Sequence, residues 1–248
     1  MSIRIYPASQ QVKGNFNGGE ILENKPIQIT PDKTKLQPYS NIFYWAHAWA
    51  ETTSTIGLHP HKAFEIISFV LEGTIEHYDT KNRSWLPLKK GDVQIIRAGN
   101  GISHAEKLIQ GGHIFQIWFD PDISKSLNDP ASYNDYTSES FPVKNENGFT
   151  TKILKGENAP LEMKTPGISI REISFTQGSH MLALNEKEIH SIYLVNGKIT
   201  TGDKQIQQDD FFVVEDEMEI QFTANTEGKI FIISSLKEVP YQTYAQMA

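Results

Sequence analysis

Short apolar runs, each closed by a cluster of Gly, Asn, Asp or Pro, recur along the whole chain. Phe64–Leu71, Val93–Arg97, Ile114–Phe119, Ser169–Phe175, Ser191–Val195, Phe211–Val214 and Ile230–Ser234 read as strands. Turn signals stand between them, among them Glu72-Gly73, Lys90-Gly91-Asp92, Asn100-Gly101, Asn196-Gly197 and Gly202-Asp203. No stretch keeps a helical period beyond two turns, and only Ser124–Ser140 offers room for short helices. Many short strands with regular turns predict an all-β sandwich or barrel.

The segment from Asp120 to Gly148 is polar and rich in Asn, Ser, Asp, Pro and Glu, which predicts a linker between two halves. A weak internal echo surrounds it. Ser68–Gly73 is followed by a strand and then by Lys90-Gly-Asp-Val-Gln; Ile192–Gly197 is followed by Lys198-Ile-Thr and then by Gln208-Asp-Asp-Phe-Phe. Each half reads as strand, glycine turn, strand, acidic turn, strand, so a duplicated domain is expected. The expected division is residues 1–135 and 136–248.

The length of 248 residues is enough for two such domains. A net charge of -7 lacks the basic footprint that phosphate-backbone binding needs, so neither nucleic acid nor an anionic membrane is an expected partner. No apolar run approaches the roughly 18 residues of a membrane span. The chain has no cysteine, which removes disulfides, thiolate ligands and Cys nucleophiles from consideration. A cytoplasmic location is the default expectation.

Candidate chemistry concentrates in two places. In an extended strand, side chains at i and i+2 share a face, so His59 and His61 project together across Pro60. The same logic aims His104 and Glu106 to one side, after the turns Gly91-Asp92 and Gly99-Asn-Gly101. Three neutral imidazoles and a carboxylate suit Fe(II), Mn(II), Ni(II), Cu(II) or Zn(II). With eight histidines in the chain, one His-x-His pair alone would be weak evidence; the paired His-x-Glu makes a structural reading of all four much poorer. Carrying the His59/His61 parity forward puts Ala63, Glu65, Ile67, Phe69 and Leu71 in the barrel lumen. His47 reads as a packed core histidine, His77 as a polar strand residue and His113 as a turn residue. Gln116 and Trp118 are candidates for the lumen wall.

The segments HPHKAFEIISFVLEGTIEHYD and GDVQIIRAGNGISHAE resemble the signature of the pirin family, within the cupin superfamily. The resemblance is specific from about Gly57 to Phe119. It implies two tandem cupin β-barrels with metal only in the N-terminal one and a degenerate C-terminal one. It also implies one divalent metal, Fe(II) first, on His59, His61, His104 and Glu106. Other cupins often use the glutamate after His-x-His as a ligand, here Glu65; in pirins the Glu of the second motif takes that role, so Glu106 is the expected ligand and Glu65 is expected to stand behind the ligands. Ala63 departs from the family, where Gly or a small polar residue is common. Several bacterial pirins resemble flavonol 2,3-dioxygenases, so the resemblance implies a flavonol-like substrate, with Glu106 or Glu65 accepting its hydroxyl proton. The alternative it implies is an iron-dependent, redox-sensing regulator that acts by docking on a protein partner.

Overall fold

The alternating runs form strands, and the Gly, Asn and Asp clusters between them form the turns. Thr74–Asp79 alternates strictly between half-buried and buried positions, whereas Val93–Arg97 is buried throughout and reads from sequence as a continuous apolar run. The computed structural model describes residues 2–247. Its first strands are β1 (Ser2–Tyr6), β2 (Val12–Phe16), β3 (Ile21–Ile27), β4 (Ile42–Ala50), β5 (Ser54–His61) and β6 (Glu65–Glu72). They are followed by β7 (Thr74–Asp79), β8 (Trp85–Lys89), β9 (Val93–Arg97), β10 (Ile102–Leu108), β11 (His113–Phe119) and β12 (Ser132–Tyr136). Next come β13 (Val143–Glu146), β14 (Phe149–Lys155), β15 (Ser169–Phe175), β16 (Gly178–Ala183) and β17 (Glu188–Asn196). The last are β18 (Lys198–Thr201), β19 (Lys204–Gln207), β20 (Phe211–Glu215), β21 (Glu219–Ala224) and β22 (Gly228–Leu236).

These strands form two compact units. The N-terminal unit is 11–138 with 163–165 and 239–248; the C-terminal unit is 1–10, 139–162 and 166–238. Each is therefore discontinuous, where composition suggested one cut near residue 135. The polar segment 120–148 is not a bare linker either. It supplies β12, which pairs with β9, and β13, which pairs with β14. Its helical content is one short turn, Ile123–Ser126, and a 3-10 turn at Ser138–Ser140.

Strand order shows the duplication directly. The N-terminal unit has sheets β12-β9-β6-β11-β4-β3-β2 and β5-β10-β7-β8; the C-terminal unit has β1-β20-β17-β22-β15-β14-β13 and β16-β21-β18-β19. The two orders match position by position. The turns match as well: a Cβ on Gly73 would lie 3.0 Å from the Cα of Gly112, and one on Gly197 would lie 3.0 Å from the Cα of Gly228. The same bulge follows each pair, skipping Leu71 in β6 and Val195 in β17. Counting from these glycines aligns Ser68 with Ile192 and Gln116 with Ile232, each pair facing across its own sheet.

The expected lumen parity of β6 is corrected by this frame. Val70 packs with Ile75, Leu88 and Leu108, and Ile66 packs with Ile96, Ala98 and Ile102, so Ile66, Ser68 and Val70 line the interior. Glu65, Ile67 and Phe69 lie on the opposite face. The parity fails because β5 and β6 belong to different sheets, and the chain crosses between them at 62–64 through Ala63, whose φ is +73°. An alanine in that left-handed conformation is disfavoured by about 1 kcal/mol or more. Ala63→Gly is expected to raise stability by about 0.5–1 kcal/mol, read as a higher urea midpoint at unchanged slope.

His47 is packed, as its aromatic strand suggested: 8% exposed, with its Nε2 3.3 Å from Nδ1 of His113. Burial, and then the neighbouring His113, lower its pKa to about 3. The unfolded chain takes up this proton near pH 6.5 and the folded chain near 3, so the folded state loses stability as pH falls through that window. The slope is about 1.4 kcal/mol per pH unit for one such group. His47→Gln is therefore expected to lose roughly 2 kcal/mol less than the wild type between pH 7 and 4.5 in urea denaturation.

Candidate metal centre

β5 is an edge strand of its sheet, which is where a proline inside a strand is tolerated, and Pro60 there keeps His59 and His61 on one side. Its neighbour β10 sets His104 opposite His59 and Ile102 opposite His61. The three rings meet: His59 and His104 have centroids 4.5 Å apart, His59 and His61 4.8 Å, His61 and His104 4.9 Å. A bulge follows His104, and Glu106 then faces His77 of β7.

Two overlapping ligand groupings result. The ligand atoms of His59, His61 and His104 lie within 4.8 Å of one another, and so do those of His77, His104 and Glu106. His104 belongs to both, and Glu106 is fully buried beside it. His77, which reads from sequence as an ordinary strand residue, has its ring centroid 5.5 Å from that of His104 and its Nε2 3.4 Å from Asp79 Oδ2.

The carboxylate of Glu106 is fixed from the other sheet. Ser68 Oγ donates to Oε1 at 2.9 Å, and Gln116 Nε2 donates to Oε2 at 2.5 Å. Trp118 Nε1 in turn donates to Gln116 Oε1 at 3.1 Å, which sets the amide the right way round because an indole only donates. Ser68 carried no signal in the sequence, since its facing depends on the sheet change at Ala63. Gln116 and Trp118 do face the interior, and Trp118 meets His61 edge-on at 4.9 Å and stacks on Tyr44 at 4.5 Å.

Glu65 is elsewhere. One of its carboxylate oxygens accepts the Lys164 N–H at 2.7 Å, and the other accepts the N–H and hydroxyl of Thr165 at 2.8 and 2.5 Å. Arg97 Nε stands 3.9 Å away. On the face opposite the lumen and with these donors satisfied, Glu65 serves as an anchor for residues 163–165. The expectation that it stands behind the ligands, or accepts a substrate proton, is corrected by this geometry.

The donor set fits a divalent cation. His61 Nε2 and both ring nitrogens of His104 are buried without a hydrogen-bond partner, an arrangement that is costly unless something binds them. Nδ1 of His59 lies 2.7 Å from the Gly57 carbonyl and donates to it in the tautomer that leaves Nε2 available. Burial, and then the neighbouring imidazoles, hold His61 at about 3 and His104 at about 2, so both are neutral at pH 7, the form that ligates.

The C-terminal unit does not carry this set. Register places Leu182, Leu184, Ile220 and Phe222 where His59, His61, His104 and Glu106 stand, and Ile192 and Ile232 where Ser68 and Gln116 stand. These side chains join one continuous apolar cluster with Ile173, Leu194, Phe212 and Ile230, whereas the N-terminal interior is interrupted by the polar group.

The pirin family model matches residues 30–119, the stretch that holds all four expected ligands. Rat pirin is 29% identical over 158 residues, covering 60% of this chain and 53% of that protein. Over this stretch the chain is similar to the pirin family. The quercetin 2,3-dioxygenase of Escherichia coli K12 is 42% identical to this chain over 76 residues, covering 29% of the chain and 32% of that enzyme. The matched region thus spans about half or less of the curated relatives' length. A crystal structure of a bacterial pirin from Escherichia coli in complex with nickel(II) superposes with a TM-score of 0.78 at 20% identity, over 96% of this chain and all of that one. The fold of this chain is the two-domain cupin fold. Among its described residues, no helix is long and apolar enough to cross a membrane.

Proposed function

We propose that this chain is a member of the pirin family and a metal-dependent dioxygenase that opens flavonols such as quercetin with O2. The observation that carries the reading is the cluster of neutral, buried and unpartnered imidazole nitrogens beside a carboxylate that two side chains hold in place. His59, His61, His104 and Glu106 would hold the ion, with Fe(II) the first choice and Mn(II), Ni(II), Cu(II) and Zn(II) compatible with the same donors. A bound ion supplies Lewis acidity and, where redox-active, a path for electrons between substrate and O2.

The chain's own residues orient the substrate and take its proton. Each oxygen of Glu106 accepts one hydrogen bond and retains capacity for another, so this carboxylate can accept the 3-hydroxyl proton of a flavonol. Trp118, Phe64 and Tyr44 offer aromatic surface beside His61, suited to a planar ring system. Anaerobic reconstitution with each of the five metals, followed by quercetin and air, tests the reading. The expected result is loss of flavonol absorbance with one O2 consumed per flavonol. Occupied sites that give no turnover above buffer with any of the five would refute the substrate assignment.

A further inference from the structure

The C-terminal unit lacks the metal positions but keeps a cavity of about 350 Å3. It opens where the N-terminal unit has Ala46, Ile66 and Trp118; register puts Arg171, His190 and Ser234 at those positions. Ile153, Ala183 and Leu184 give it apolar walls. Both nitrogens of His190 are engaged, Nδ1 with Ser234 Oγ at 2.8 Å and Nε2 with the backbone of Asn185. Lys155 donates to the Leu161 carbonyl at 3.0 Å, and Glu157 pairs with Lys144 at 3.3 Å. Arg171 differs from these. Burial lowers its pKa, Glu188 is the carboxylate that opposes this effect, and among the described residues no hydrogen bond or ion pair within 4.0 Å reaches its guanidinium.

A partly desolvated cation whose neighbouring carboxylate stands beyond ion-pair distance is unfavourable. We infer that this pocket binds a small monocarboxylate with an apolar body, its carboxylate held by Arg171 and its body lying against Ile153, Ala183 and Leu184. A planar guanidinium matches a carboxylate through two parallel hydrogen bonds. Glu157 and Glu188 at the same cavity oppose a doubly charged ligand such as phosphate. The volume suits a single-ring acid. The inference does not depend on the metal centre or on its proposed chemistry.

Titration of the full-length protein with benzoate, with neutral benzamide as control, tests it. One saturable site is expected, at least tenfold tighter for benzoate than for benzamide. Arg171→Gln should weaken benzoate at least tenfold, Glu188→Gln should tighten it, and His61→Ala should leave it unchanged. If Arg171→Gln fails to fold, Ala183→Phe, a change at an exposed rim position, decides by blocking the cavity. Absence of saturable binding, equal binding of benzamide, tighter binding of inorganic phosphate, or benzoate affinity untouched by the Arg171 or Ala183 changes would each overturn the inference.

Discussion

His104→Ala is expected to abolish stoichiometric binding of a divalent metal. His104 is fully buried, belongs to both ligand groupings, and presents two ring nitrogens that meet no other partner. Changes to residues that only support ligands weaken metal affinity by roughly 10–100-fold, and loss of a shared ligand exceeds that. Metal content after anaerobic loading and gel filtration should fall from about one ion per chain to background, with the far-ultraviolet circular dichroism of the fold retained. Retention of full occupancy would mean that the ion is held elsewhere. Glu106→Gln keeps shape and the contact with Ser68 but removes the charge, so affinity falls while stability changes little.

Glu65→Ala has the opposite profile. Its carboxylate holds two backbone N–H groups and a hydroxyl of residues 164–165 and balances Arg97, all on the face away from the lumen. Removing one partner of such a buried charged network costs about 3–5 kcal/mol. Urea denaturation of the apo-protein is expected to show that loss, while the metal affinity of the folded fraction stays within about threefold of wild type. A large loss of metal affinity with unchanged stability would return Glu65 to the metal centre.

The two glutamates show how far the sequence could be read. The shared facing of His59 with His61 and of His104 with Glu106 was legible because each pair sits within one strand, where alternation holds. Glu65 was misplaced because its facing was carried across Ala63, and a single left-handed residue between two sheets resets the parity. Ser68 was invisible for the same reason. The duplication was legible only as a faint echo, since few side chains are shared. What the two units keep is geometry: the same strand order, the same bulge, and the paired glycines at 73/112 and 197/228. The boundaries were out of reach for composition, because β1 pairs with β20 across more than two hundred residues of chain.

Phe222, Ile192 and Ile232 stand where Glu106 and its two hydrogen-bond donors stand, so a carboxylate at that place in the C-terminal core would meet no donor from these side chains. Anomalous diffraction at the iron edge, from crystals loaded anaerobically with one equivalent of Fe(II), tests the central claim most directly. The expected map has one strong peak per chain, within bonding distance of His59, His61, His104 and Glu106, and none in the C-terminal unit. A peak bonded to Glu65, one inside the C-terminal core, or no peak at full iron loading would contradict it.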